Sequence, residues 1–254
     1  MMNRREEIKK ENKKAIPLFV AIILIAGLVG ALLGGVSVNV NLSSDRGILG
    51  IDSYTVDRIT LGVMILAAIC TQIGGWILYF KCKNQLQIWD GEDDEIPDQI
   101  EQKADYIMWG LSADVIVSFA CFALLSESLF QGEEFGYLMI MVLFFLIITF
   151  MDIIMQQKLI DLLKEMNPEK NGSVYDVRFT KKWIDSCDEA ERLQIYQSGW
   201  TTYRCMNSVY PFAWLIAFFA NFIFHAGAFS IMLVSILWLL HTSIYCYKAT
   251  RLSR

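Results

Sequence analysis

FGYLMIMVLFFLIITFMDIIM, residues 135–155, is an unbroken apolar run with a single charged side chain, Asp152. About twenty such residues cross roughly 30 Å of hydrocarbon as a helix, the one open-chain form that satisfies its own backbone hydrogen bonds there. Five further runs of this kind lie on either side, so the spacing predicts spans at 16–38, 59–80, 107–129, 135–155, 206–225 and 228–247. A membrane β-barrel would need short alternating segments instead. The first run follows basic residues, but it exceeds the length of a signal-peptide core and no A-x-A-like site follows it, so it reads as a retained anchor.

Composition agrees with the spans. The 254 residues are 55% hydrophobic and 19% charged, with a mean hydropathy of +0.40, whereas a soluble domain carries about a quarter charged residues. The apolar content excludes a disordered chain, and the length and cysteine content exclude a secreted disulfide scaffold. A net charge of −5 and a pI near 5.1 argue against nucleic-acid binding. Lys and Arg concentrate in cytoplasmic segments of membrane proteins. Twenty of the 22 basic residues fall in the N-terminus, the segments after spans two and four, and the tail. The exceptions are Arg46 and Arg58. The expected fold class is therefore all-α: one polytopic transmembrane domain over 1–254, six transmembrane helices as three hairpins, both termini cytoplasmic, in the cell membrane.

All six cysteines map to spans, inner span ends or the cytoplasmic stretch, and no C-x-x-C pair occurs. They read as reduced thiols that pack like small apolar groups. Cys82, between Lys81 and Lys83, is the one candidate for a reactive thiol.

Two connections hold most of the polar sequence. In the first, 81–105, the block Glu92-Asp93-Asp94-Glu95 lacks the spaced ligands and glycine of a calcium loop and reads as a solvated charge run. The second, 156–205, should continue span four as a helix through Ile160, Leu163 and Met166 until Asn167-Pro168 stops it. Ser186-Cys187-Asp188-Glu189 has the form of a capping box and predicts a new helix. Its aromatic residues Tyr196, Trp200 and Tyr203 suit a membrane interface, and Trp200 and Tyr203 with Glu189 and Glu191 are candidates for docking a partner. Pro211 fits either the first turn of span five or a kink within it. The matched spacing of Asp98, Glu101 and Tyr106 with Asp188, Glu191 and Tyr196 hints at a repeat.

Inside the membrane, Asp114 is the costliest residue, since an ionised carboxylate there costs about 2.5–3.5 kcal/mol or more near mid-bilayer. Gly110, Asp114 and Ser118 share a helical face with Cys121 beside it, a small and polar stripe that should turn toward the bundle. Gln72, Thr149 and His241 fall at similar depth, which predicts a polar layer in the inner half. Two accounts stand: a protonatable site that carries a proton or coordinates a cation, and a structural cluster in which a neutral Asp114 bonds Gln72 or His241. Asp152, near a predicted span end, should reach interfacial water. Span one carries Gly27, Gly30, Ala31, Gly34 and Gly35, a face for close helix packing. Its neighbour is another span, a second copy in a homo-oligomer or another protein, with internal packing favoured.

Enzyme signatures are missing: there is no H-E-x-x-H, G-x-S-x-G or G-x-x-x-x-G-K-[ST]. His225 and His241 fall near opposite faces, so no two-His metal site forms within one chain. No catalytic residue, metal or cofactor is expected.

Lys9-Lys10-Glu11-Asn12-Lys13-Lys14-Ala15 before a Gly-rich span, with Trp183-Ile184-Asp185-Ser186-Cys187-Asp188-Glu189-Ala190-Glu191-Arg192 and Ile195-Tyr196-Gln197, resembles a family of uncharacterised multi-span membrane proteins of Gram-positive bacteria, catalogued as a domain of unknown function. The resemblance implies an accessory role beside ABC-transporter components, in export or defence against membrane-active peptides, and supplies no catalytic residues. The expected function is thus a non-enzymatic membrane protein partnering a complex such as an ABC exporter. The alternative is a small secondary transporter or channel using Asp114. Single-cysteine labelling should find residue 93 on the cytoplasmic side; labelling from outside would overturn this topology.

Overall fold

The helical periods in the sequence build seven helices in the computed structural model, which describes residues 4–37, 53–91, 95–129, 135–224 and 229–252. They are α1 (Arg4–Ser37), α2 (Ser53–Ile88), α3 (Glu95–Leu129), α4 (Phe135–Met166), α5 (Phe179–Asp185), α6 (Glu189–Phe224) and α7 (Phe229–Leu252). Among the described residues, five helical segments are long and apolar enough to cross a membrane: Arg4–Gly30, Asp57–Ile88, Glu95–Leu125, Ile140–Met166 and Phe229–Lys248. Over its described residues α6 is not among them. The chain divides into two compact units, Met1–Ser186 and Cys187–Arg254.

In the first unit α2, α3 and α4 pack on one another, most closely α2 on α3, and α1 packs on α4. The buried positions follow alternating steps of three and four residues, the spacing that keeps one helix face on its neighbours. On α3 these are Ala104, Ile107, Leu111, Asp114, Ser118, Cys121 and Leu125; on α4 they are Met141, Phe145, Ile148, Asp152, Met155, Leu159, Leu162 and Met166. Three apolar clusters result. Met64, Ala68, Cys121, Leu125, Met141 and Ile148 form one, Ala104, Ile107, Leu111, Met155 and Leu159 the next, and Cys82, Ile100, Leu162 and Met166 the last. Cys82 is fully buried there, which removes it as a reactive surface thiol.

The packing differs from a row of three hairpins. Among the described residues α1 sits chiefly on α4, while α2 and α3 pair across a short turn. That turn replaces most of the expected connection 81–105, because both helices run on past their apolar stretches; its residues 92–94, most of the acidic block, lie outside the described residues. α4 continues to Met166 and stops before Asn167-Pro168, since proline disfavours helical geometry in the residue before it.

The end of α4 is tied to α1 and the following loop by a buried polar junction. Lys164, 1% exposed, pairs with Glu11 and donates to the Gly172 carbonyl at 2.7 Å. The Gly172 amide returns to the other Glu11 oxygen at 3.1 Å. Asn12 donates to Asp161 at 3.0 Å, and Gln157 joins both, donating to Asn12 and Asp161 while accepting from Ser173 and the Val174 amide. Arg4 holds the Lys170 carbonyl at 2.7 Å. Gly172 has a φ of +128°, and an added Cβ would meet the Phe179 ring at 3.0 Å, so the turn requires glycine. Farther along, Asp176 pairs with Lys182 at 2.6 Å and accepts from the Arg178 amide, and the Lys182 hydrogen bond holds its carboxyl below the usual range.

In the second unit α6 runs unbroken through Pro211 and packs on α7. Its capping box lies two residues beyond the expected one. Asp188 accepts from the Glu191 amide at 2.8 Å and Glu191 from the Asp188 amide at 3.1 Å. Ser186 instead donates to the Trp183 carbonyl and finishes α5. Breaking a buried ion pair by removing one partner costs about 3–5 kcal/mol, against about 0–1 for an exposed pair. Thermal unfolding in detergent should therefore show a large loss for Lys164→Ala and a small one for Arg5→Ala, whose partner Glu165 sits in the exposed pair at 2.9 Å.

Candidate functional site

The seam of α2, α3 and α4 is apolar at both ends and polar between. Asp114 and Ser118 on α3 and Asp152 on α4 occupy buried seam positions between the cluster around Met64 and the cluster around Leu111, with Gln72 on α2 at the same level. α2 and α3 approach closely here: a Cβ on Gly110 would touch Thr71, and one on Gly75 would touch Met155 and Ile107.

Gln72 Nε2 donates to Asp152 Oδ1 at 2.7 Å. The carboxyls of Asp114 and Asp152 lie within hydrogen-bonding reach of each other. Two ionised carboxylates repel strongly in an apolar setting, so such a pair is tolerated only where a proton or a cation offsets the repulsion. Both side chains are shut off from water, at 2% and 0% exposure. Among the described residues no group of three or more His, Cys, Asp or Glu gathers.

Sequence reasoning found half of this pair. It placed Asp114 on the inward face and Gln72 beside it, but put Asp152 at interfacial water. That placement is corrected: α4 extends eleven residues past Met155, so Asp152 lies mid-helix on its buried face. The available signal was the three-and-four spacing from Met141 to Met166, in which Asp152 fills a core position.

Thr149 and His241 make other contacts. Thr149 turns back on its own helix and donates to the Phe145 carbonyl at 2.9 Å. His241 belongs to the second unit, where its ring stacks on Tyr203 at 4.8 Å and lies 5.3 Å from Tyr210. Of the expected layer of Gln72, Asp114, Thr149 and His241, the first unit brings Gln72 and Asp114 together at Asp152. Tyr203 also stacks on Tyr245 at 4.1 Å, so it clamps α6 to α7 instead of standing free. Trp200 stacks on Tyr203 yet stays 48% exposed, and Glu191 is engaged in the cap. Glu189 opens the first turn of α6.

On α1, a Cβ at Gly27 or Gly30 would meet nothing within 4 Å, so within the first unit no helix packs closely at those two positions. The physical reason is that α1 docks through its polar first turns, and from Val20 to Gly30 every residue is exposed. The side chains at Ala31, Gly34 and Gly35 lie outside the described residues.

Residues 13–249 match a family described as protein of unknown function, DUF3169. No curated protein and no solved structure matches the chain. Leaving a buried acceptor without its donor costs about 1–3 kcal/mol. Gln72→Leu should lower thermal stability by about that amount, and an unchanged unfolding temperature would contradict the bond to Asp152.

Proposed function

The chain belongs to the DUF3169 family, and we propose that it is a non-enzymatic multi-pass protein of the cell membrane, with six spans and cytoplasmic termini, that moves a small cation or protons through the Asp114–Asp152 pair. The sixth span is the apolar half of α6, from Met206 onward, and the distribution of Lys and Arg supports the orientation. The observation that carries the function is the burial of two carboxyls against each other between apolar clusters. Ionisable groups at membrane depth are costly, and proteins keep them where ions or protons pass.

A second reading, an accessory partner of a membrane complex such as an ABC exporter, is favoured by one surface. Leu193, Tyr196 and Trp200 are exposed along the first half of α6, an apolar and aromatic strip of the composition interfaces use. Recovery of a stoichiometric transporter subunit from native membrane, weakened by Trp200→Ala, would favour it.

Flux separates the two. In proteoliposomes carrying a pH gradient, the wild-type chain should dissipate it in a cation-dependent way, and Asp114→Asn and Asp152→Asn should each abolish this while leaving assembly intact. Equal flux in both variants and wild type, or none in wild type, would sink the transport reading.

A further inference from the structure

We infer that the Asp114–Asp152 site binds a sodium ion in exchange for a proton; this deepens the transport reading and rests on it. Five oxygen atoms at this level are buried, and no donor among the described residues reaches them: Gln72 Oε1, both Asp114 oxygens, Ser118 Oγ and Asp152 Oδ2. They come from three helices. The one amide nitrogen in the group, Gln72 Nε2, is already spent on Asp152 Oδ1, which leaves the amide oxygen free.

Ser118 is the independent pointer to a ligand. A hydroxyl inside a helix ordinarily satisfies itself on the carbonyl four residues back, as Ser112 and Thr149 do at 2.8 and 2.9 Å. Ser118, at 1% exposure and one turn from Asp114 on the same buried face, does not. A proton shared by the two carboxyls would account for the pair but would leave Ser118 Oγ and Gln72 Oε1 unmatched. A hard cation accounts for all five atoms, since it takes oxygen ligands only.

Charge selects the ion. Beside the pair, α2 contributes the uncharged Gln72, α3 contributes Asp114 and α4 contributes Asp152. The next charged residues among those described are Arg58 and Lys81 along α2, Asp105 and Glu127 along α3, and Lys158 along α4. On α1, which packs on α4, Glu11 is committed to Lys164. Among the described residues of α2, α3 and α4, no lysine or arginine therefore stands beside the pair to neutralise it. With one proton on board the pair carries a single negative charge, which a monovalent ion balances. Magnesium keeps several waters and calcium takes six to eight oxygens, neither of which fits five dry donors. The empty pair, with no cation to balance it, is neutral only with a proton on each carboxyl, so an entering sodium ion displaces one of the two, and uptake of sodium and release of a proton are one exchange.

The test uses the purified full chain in mild detergent, titrated with sodium chloride against choline chloride in weakly buffered medium. Sodium should raise the unfolding temperature and release about one proton per chain, because cation ligands must deprotonate to bind. Both responses should vanish in Asp114→Asn and Asp152→Asn. Ser118→Ala, a change small enough to keep the fold, should weaken apparent sodium affinity about tenfold, the equivalent of about 1.4 kcal/mol. A sodium response that survives both Asp substitutions, or is unmoved by Ser118→Ala, would overturn the site. No sodium response in a chain whose flux still depends on Asp114 would overturn the sodium assignment and leave transport standing. Loss of both would remove the two together.

Discussion

A polar side chain shut away from water is tolerated only when its atoms find partners, and α4 carries two such side chains that are ionisable, Asp152 in its apolar stretch and Lys164 near its end. Each dictates what must stand beside α4. Lys164 requires Glu11 and the Gly172 carbonyl, which fixes the start of α1 and the loop after α4. Asp152 requires Gln72 and Asp114, which fixes the register of α2 and α3. Apolar packing fills the space between these points. In a bilayer such packing discriminates weakly, because lipid tails are as apolar as leucine, so the polar contacts set the alignment.

The same arrangement makes the middle of the seam chemically distinct. Apolar clusters lie on both sides of the Asp114–Asp152 level, and low dielectric strengthens every electrostatic interaction between them. Any charge entering there must be compensated locally. The second unit is built on different terms, a stack of Tyr203, Tyr245, Trp200 and His241 that holds α6 on α7. Its exposed strip offers contact area, not a place for charge.

How much of this the sequence discloses depends on how local each signal is. The apolar runs and the stop at Asn167-Pro168 are local, and both are legible. Asp114 stands out because it is the one charge in the middle of its run. Asp152 is hidden by a falling density of apolar residues after Met155, although burial continues through Leu159, Leu162 and Met166. Lys164 gives no sign of burial at all, since its partner Glu11 lies 153 residues away. The cap of α6 had two local solutions, Ser186 with Glu189 and Asp188 with Glu191. Only the three-dimensional fold, which uses Ser186 to close α5, selects between them.

The central claim is that Asp114 and Asp152 act as one buried unit, and a double-mutant cycle addresses it directly. Thermal unfolding of Asp114→Asn, Asp152→Asn and the doubly substituted chain should reveal a coupling of about 0.5–3 kcal/mol, the range for residues in contact within one network. Strict additivity of the two substitutions would contradict the account, because two carboxyls that do not feel each other can share neither a proton nor an ion.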